Sequence, residues 1–302
     1  MIPRDYHWDD VGAPPLETKA GSILEIFKAC LITGYGSKAG AGWKLQYDGW
    51  TAKGEQKLAF SVGEETEQEL IYWLNDANDQ QANLTLWANL NATGDGVENK
   101  ITTHTQPMRR ENNAFKEWHL YATNKFVVFL YQYQIYQNMQ EGECFLFGAI
   151  KDLFGEFLPQ IIIQRKYSEG QGIRFYQECI SSGGSFWLPF APFERSTYYW
   201  GGYQYNRDTD SSEPPAIEYY MPTLCEYQPT DKQPRQLRLY IPSLTITPTR
   251  FHPNGDNPEW CKVLEKNGSK ILRFCGRNTL TAGFDIGSDW DNPEWLNQII
   301  NS

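Results

Sequence analysis

The sequence has no paired-cysteine signature. Its six cysteines (Cys30, Cys144, Cys179, Cys225, Cys261 and Cys275) are dispersed, and no CxxC pair occurs. The four histidines, His7, His104, His119 and His252, are scattered as well. Zinc needs grouped thiolate and imidazole ligands, so no metal is expected. The chain opens Met-Ile-Pro-Arg-Asp without an apolar leader-like run. The expectation is synthesis in a reducing cytoplasm, with free and mostly buried thiols. No apolar stretch approaches the ~18 residues that cross a bilayer, so membrane insertion is not expected. Basic clusters are scarce: Gln106-Pro107-Met108-Arg109-Arg110 is the nearest approach, in a chain of net charge −10. Without a positive footprint, nonspecific binding to a phosphate backbone is disfavoured, and nucleic acid is not an expected partner.

Motifs for common chemistries are missing too. There is no Gly-x-Ser-x-Gly, and Ser181-Ser182-Gly183-Gly184-Ser185 reads as a turn. The carboxylate pairs Asp9-Asp10, Glu64-Glu65 and Asp208/Asp210 read as solvated surface groups, because a glycosidase pair is defined by its spacing across a cleft. Asp208-Thr209-Asp210-Ser211-Ser212-Glu213 lacks the central glycine of a calcium loop. Gly34-Tyr35-Gly36-Ser37-Lys38-Ala39 mimics GxGxxA, but the predicted helix precedes it. A dinucleotide site needs strand, loop, then helix, so the order is reversed and no nucleotide or other cofactor is expected. His104 and His119 lie beside strand-like segments and are expected to be structural. No catalytic residue is assigned, and the chain reads as a non-enzyme.

Aromatic side chains, in contrast, are abundant at 15% of 302 residues, with eleven Trp and eighteen Tyr. They suit pleated sheets and contact surfaces. Residues 1–19, rich in Asp, Gly and Pro, read as irregular. Ile23, Leu24, Ile26, Phe27, Cys30 and Leu31 then recur at helical spacing, predicting a helix over 23–33. Ser22 and Glu25 fit a capping box, and Gly34 fits a positive-φ terminator. Gly36, Gly40 and Gly42 would turn the backbone tightly, with Trp43 opening an extended segment and packing back. Ser22, Gly34, Gly36, Gly40, Gly42 and Trp43 thus define a structural corner.

Short β-branched and aromatic runs follow at 57–62, 69–74, 83–90, 117–121, 125–136, 143–150, 160–165, 173–179, 236–241 and 243–247, separated by turn-forming residues. Phe126–Tyr136 hardly alternates and reads as buried on both faces. Residues 151–158 read as a short inserted helix. Asp256-Asn257-Pro258-Glu259-Trp260 recurs as Asp291-Asn292-Pro293-Glu294-Trp295, a helix-start recipe in both copies. The expected fold is α+β, mainly β, with antiparallel sheets in a sandwich or barrel-like arrangement, one N-terminal amphipathic helix and a few short helices. A single domain over 1–302 is expected, with an exposed loop near 205–216; the alternative is a division into 1–166 and 167–302. Trp187, Tyr198, Tyr199 and Trp200 belong to aromatic runs suited to a protein or glycan contact surface.

One stretch carries a family resemblance. Tyr6-His7-Trp8-Asp9-Asp10-Val11-Gly12-Ala13-Pro14, Gly21-Ser22-Ile23-Leu24 and Cys30-Leu31-Ile32-Thr33-Gly34-Tyr35-Gly36-Ser37-Lys38-Ala39-Gly40-Ala41-Gly42-Trp43 together resemble the start of a family of virion structural proteins of tailed bacteriophages and prophages. That pattern is approximately Trp-Asp-Asp-Pro-Gly-Ala-Pro, an apolar helix, Gly-Tyr-Gly and a closing Gly-Trp; Val11 stands where the proline usually is. Echoes occur at Phe145-Leu146-Phe147-Gly148, followed here by Ala149 in place of Asp, and near Leu237–Leu244. The resemblance covers about the first 45 residues. It implies a structural component of the tail, neck or capsid, made in the host cytoplasm and residing in the virion. Its partners would be other virion proteins and copies of itself in a symmetric assembly. The alternative is a glycan-binding or glycan-cleaving module of an adsorption apparatus that contacts host-surface glycan. The resemblance brings no catalytic residues.

Overall fold

The computed structural model describes residues 1–50, 56–63, 71–76, 81–87, 106–109, 116–136 and 139–149, and beyond residue 160 the strands named below with residues 286–287. Strand β1 (Arg4–His7) precedes α1 (Ser22–Phe27), which runs directly into a π-helical segment (Lys28–Thr33). A five-stranded antiparallel meander follows in sequential order: β2 (Lys44–Trp50), β3 (Gln56–Ser61), β4 (Ile71–Asn75), β5 (Gln81–Trp87) and β6 (Gln106–Arg109). The chain then returns to β1. Strand β7 (Trp118–Ala122) pairs with it antiparallel, Tyr6 opposite Leu120, and β8 (Phe126–Tyr136), β9 (Met139–Gly148), β10 (Ile161–Tyr167) and β11 (Ile173–Gln177) complete a six-stranded sheet.

Two four-stranded antiparallel sheets follow. One has the order β12 (Ser185–Phe186), β13 (Ser196–Gly201), β14 (Thr223–Tyr227), β15 (Gln236–Tyr240). The other comprises β16 (Leu244–Thr247), β17 (Cys261–Lys266), β18 (Ser269–Cys275) and β19 (Thr281–Asp285), in the order β16-β19-β18-β17. The protein is therefore mainly β and antiparallel, with α1 as the one α-helix among the described residues.

The six-stranded sheet and the meander share one core. Phe147 of β9 meets Phe60 of β3 at 6.0 Å between ring centroids and Tyr72 of β4 at 5.3 Å. Helix α1 enters the same core through Phe27, whose ring lies 4.9 Å from Phe129 of β8, 5.4 Å from Phe147 and 6.2 Å from Phe60. Tilted and edge-on rings of this kind add to the area they bury. Ile23, Leu24, Ile26, Phe27, Cys30 and Leu31 are all fully buried, as their spacing predicts. Burial raises the Cys30 thiol well above its usual pKa and keeps it protonated. In β8 every residue from Phe126 to Gln132 is buried, so this strand packs on both faces, as its continuous apolar run implies.

Three local expectations are corrected. Residues 1–19 are not wholly irregular: Arg4–His7 is a strand, and only Tyr6 of its four residues is buried, which leaves no alternation to read. The predicted 23–33 helix is α only to Phe27; the last turn widens, with Gly34 N–H donating to Ala29 O five residues back at 2.7 Å. Ser22 is not the cap, and no side chain of a capping box holds the helix start. Later strands that the sequence reading passed over include β6, β13, β14 and β17 to β19. Trp260, which ends the first Asp-Asn-Pro-Glu-Trp copy, is followed immediately by strand β17. Both copies, the 151–158 helix and the 205–216 loop lie outside the described residues.

Candidate functional site

The two halves of the N-terminal pattern, separated in sequence by the helix, meet and interlock. Asp10 is the hub. Its Oδ2 accepts from the Tyr35 hydroxyl at 2.6 Å, Lys38 Nζ at 2.7 Å and His7 N–H at 2.8 Å. Burial works to raise the Asp10 pKa, but these donors favour the carboxylate and hold it below its ordinary value. Burial, and the carboxylate it bonds to, push the Tyr35 phenol up, so it remains a donor. Lys38 Nζ also donates to Asp5 O at 2.9 Å, and Tyr6 Oη donates to Ala39 O at 2.7 Å. Arg4 adds a bond to Gly40 O. These side-chain bonds tie the first motif to the 35–40 segment, while Trp8 N–H and Pro14 O bond to Trp118.

Backbone approaches backbone at the same place. A Cβ on Gly36 would run into Val11 O, which accounts for a glycine there. Val11 itself is 90% exposed.

The glycine corner closes the end of the helix. Ala41 N–H donates to Cys30 O at 2.8 Å, and Gly42 and Trp43 N–H both donate to Leu31 O, at 3.1 and 3.0 Å. Tyr35 and Lys38 exchange backbone bonds at 2.9 Å each. Carbonyls that a helix end normally leaves unsatisfied are met by the returning chain. The amides of Gly34, Ala41, Gly42 and Trp43 are therefore engaged with helix carbonyls. Trp43 packs back 4% exposed, its Nε1–H donating to Thr123 O at 2.8 Å.

The helix start is held differently. The Asp76 carboxylate, fully buried after β4, accepts from Ile23 N–H at 2.9 Å and Leu24 N–H at 3.0 Å. Gly21 N–H donates to Asp76 O at 3.0 Å. A negative charge at a helix N-terminus is favoured by the aligned peptide dipoles. Ser22 serves the preceding loop: its Oγ accepts from Glu17 N–H at 2.7 Å and donates to Pro15 O at 3.1 Å.

On the other face of the six-stranded sheet, His7 and His119 stand opposite one another in the β1–β7 register. Their rings meet edge to face at 4.9 Å. Tyr121 Oη lies 3.5 Å from His7 Nε2. Burial lowers the pKa of both rings, that of His119 to about 4 with the His7 ring as a further cause.

Of the aromatic contact candidates, Tyr198, Tyr199 and Trp200 are successive positions of β13, opposite Glu226, Cys225 and Leu224 of β14. Trp187 lies outside the described residues. Sequence reasoning missed Asp10, Tyr35, Lys38 and Asp76 as anchors. The first three sit inside the quoted motifs, while nothing around Asp76 marks it. Large apolar side chains exposed among the described residues include Ile2, Trp8, Val11, Leu45 and Trp50, the last at 64%.

No group of three or more His, Cys, Asp or Glu side chains among the described residues could hold a metal. None of their helices is long and apolar enough to cross a membrane. Fold and site together define an antiparallel, mainly β protein whose N-terminal strand and turn are clasped to the segment after its helix. No protein-family model matches the chain, and no curated protein matches it significantly.

Proposed function

We propose that this chain is a non-enzymatic structural component of a tailed-bacteriophage particle, acting through protein–protein contacts. The reading rests on the N-terminal resemblance, and one observation supports it most. The pattern residues Asp10, Gly36 and Lys38, with Tyr35 between them, spend their polar atoms and close approaches on one another. A motif whose members hold each other in place is what a structural role requires. A catalytic or phosphate-binding role needs donors aimed at a ligand. Exposed Trp8, Val11 and Trp50 supply apolar side chains of the kind that subunit contacts cover.

Quantitative mass spectrometry of purified particles carrying this gene tests the reading. The expected result is the protein in fixed copy number, with Asp10→Ala lowering its incorporation. Particles assembled and infectious without it would overturn the proposal.

A further inference from the structure

The His7–His119 contact has no part in the clasp, and its placement sets up a conflict that depends on pH. Among the described strands, β1 is an edge of the six-stranded sheet and pairs with β7 alone. The two rings face each other across that one pairing, 4.9 Å apart, both half-buried. We propose that the His7–His119 pair is an acid-sensitive latch: neutral rings hold β1 on β7, and protonation of both loosens the N-terminal strand.

The groups around the pair decide the order of events. Asp5 on β1 lies 3.7 Å from His7 Nε2 and favours a proton there, as do Asp9 and Asp10 in the following turn. Lys38 from the glycine corner opposes it, although its ammonium is held by Asp10 and Asp5 O. Tyr35, bonded to Asp10, remains neutral. On β7, Tyr121 presents its hydroxyl to His7. On β8, Leu130 stands opposite His119 and Val128 opposite Tyr121, both fully buried and neither able to compensate a charge. His7 takes the first proton. A second, on His119, must then enter a desolvated position against an existing imidazolium.

The sign of the effect follows. Both rings bind protons more weakly in the folded chain than in the unfolded one. The folded, latched state is therefore favoured fully above pH 6.5 and loses ground as pH falls from 6.5 towards about 4. The strand would open while the Phe147 cluster, which lies outside β1, still holds the core.

Hydrogen exchange on the full chain, expressed as protection factors so that intrinsic rates cancel, measures the opening. Between pH 7 and pH 4.5, protection at 4–7 and 118–122 should fall by on the order of tenfold or more, and His119→Gln should remove most of that fall. Should the variant not fold, imidazole proton shifts of the wild type decide: both signals should move with midpoints below 6.5, and His119 should titrate after His7. An undiminished fall in His119→Gln, or ring midpoints at the ordinary 6.5, would overturn the latch.

Discussion

The two ends of the N-terminal helix are held by opposite strategies. At its end, the chain doubles back within about ten residues, and Gly34 to Trp43 supply the N–H groups that the last carbonyls need. At its start, the acceptor is the carboxylate of Asp76, 53 residues from Ile23 in sequence, delivered by the end of the meander's central strand, which is not yet formed when the helix is made. One end is local and encoded next to the helix. The other depends on tertiary structure. A helix of this length is marginal alone in water, so both ends and the buried face must act together.

Substitutions can separate these contributions. The largest effect is expected at Phe27, the side chain that both ends exist to place. Phe27→Ala should cost about 3–5 kcal/mol in urea unfolding, because it empties the space between Phe60, Phe129 and Phe147. Asp76→Ala should cost about 2–3 kcal/mol, since two buried helix N–H groups lose a charged acceptor, and Asp76→Asn should recover part of this. If both variants cost the same, the charge is irrelevant to the helix start.

At the other end, Gly34→Ala should cost about 1–2 kcal/mol from its φ of +81° alone, and more because the new methyl meets Lys38 O. Tyr35→Phe should cost about 1 kcal/mol, the loss of one hydrogen bond to a carboxylate. The smallest effect is on acid stability. Asp10 has a depressed pKa, so its contribution is complete above pH 3.8 and disappears as the pH falls through the lower folded value. Tyr35→Phe should flatten that part of a thermal-melting profile against pH.

The same contrast explains what the sequence discloses. The strands at 56–61, 126–136 and 173–177 are legible because β-branched and aromatic residues cluster between turn formers, and the helix because its apolar face recurs at the right period. The closing corner is legible in outline because a glycine cluster after an apolar helix has few other uses. Strand β1 is not, since one buried tyrosine among Arg4, Asp5 and His7 makes no pattern, and its strand character comes from β7. The π-helical widening is invisible for the same reason: it is set by the return of residues 41–43 to the carbonyls of Cys30 and Leu31. Asp76 had no local signature, as an aspartate after a strand resembles any turn residue. Ser22 was misassigned because a serine before an apolar run usually caps it, whereas here Pro15 and Glu17 claim its hydroxyl.

The pairing of β1 with β7 also has a temporal side. The first strand leaves the ribosome with no partner, and the residues it will bond arrive about a hundred positions later, after the whole meander. At typical synthesis rates of 5–20 residues per second, that delay is roughly five to twenty seconds. Until then, the meander and helix can consolidate while the leading segment waits unpaired. The strand that precedes the helix is thus locked in place only after the helix and the meander have been made.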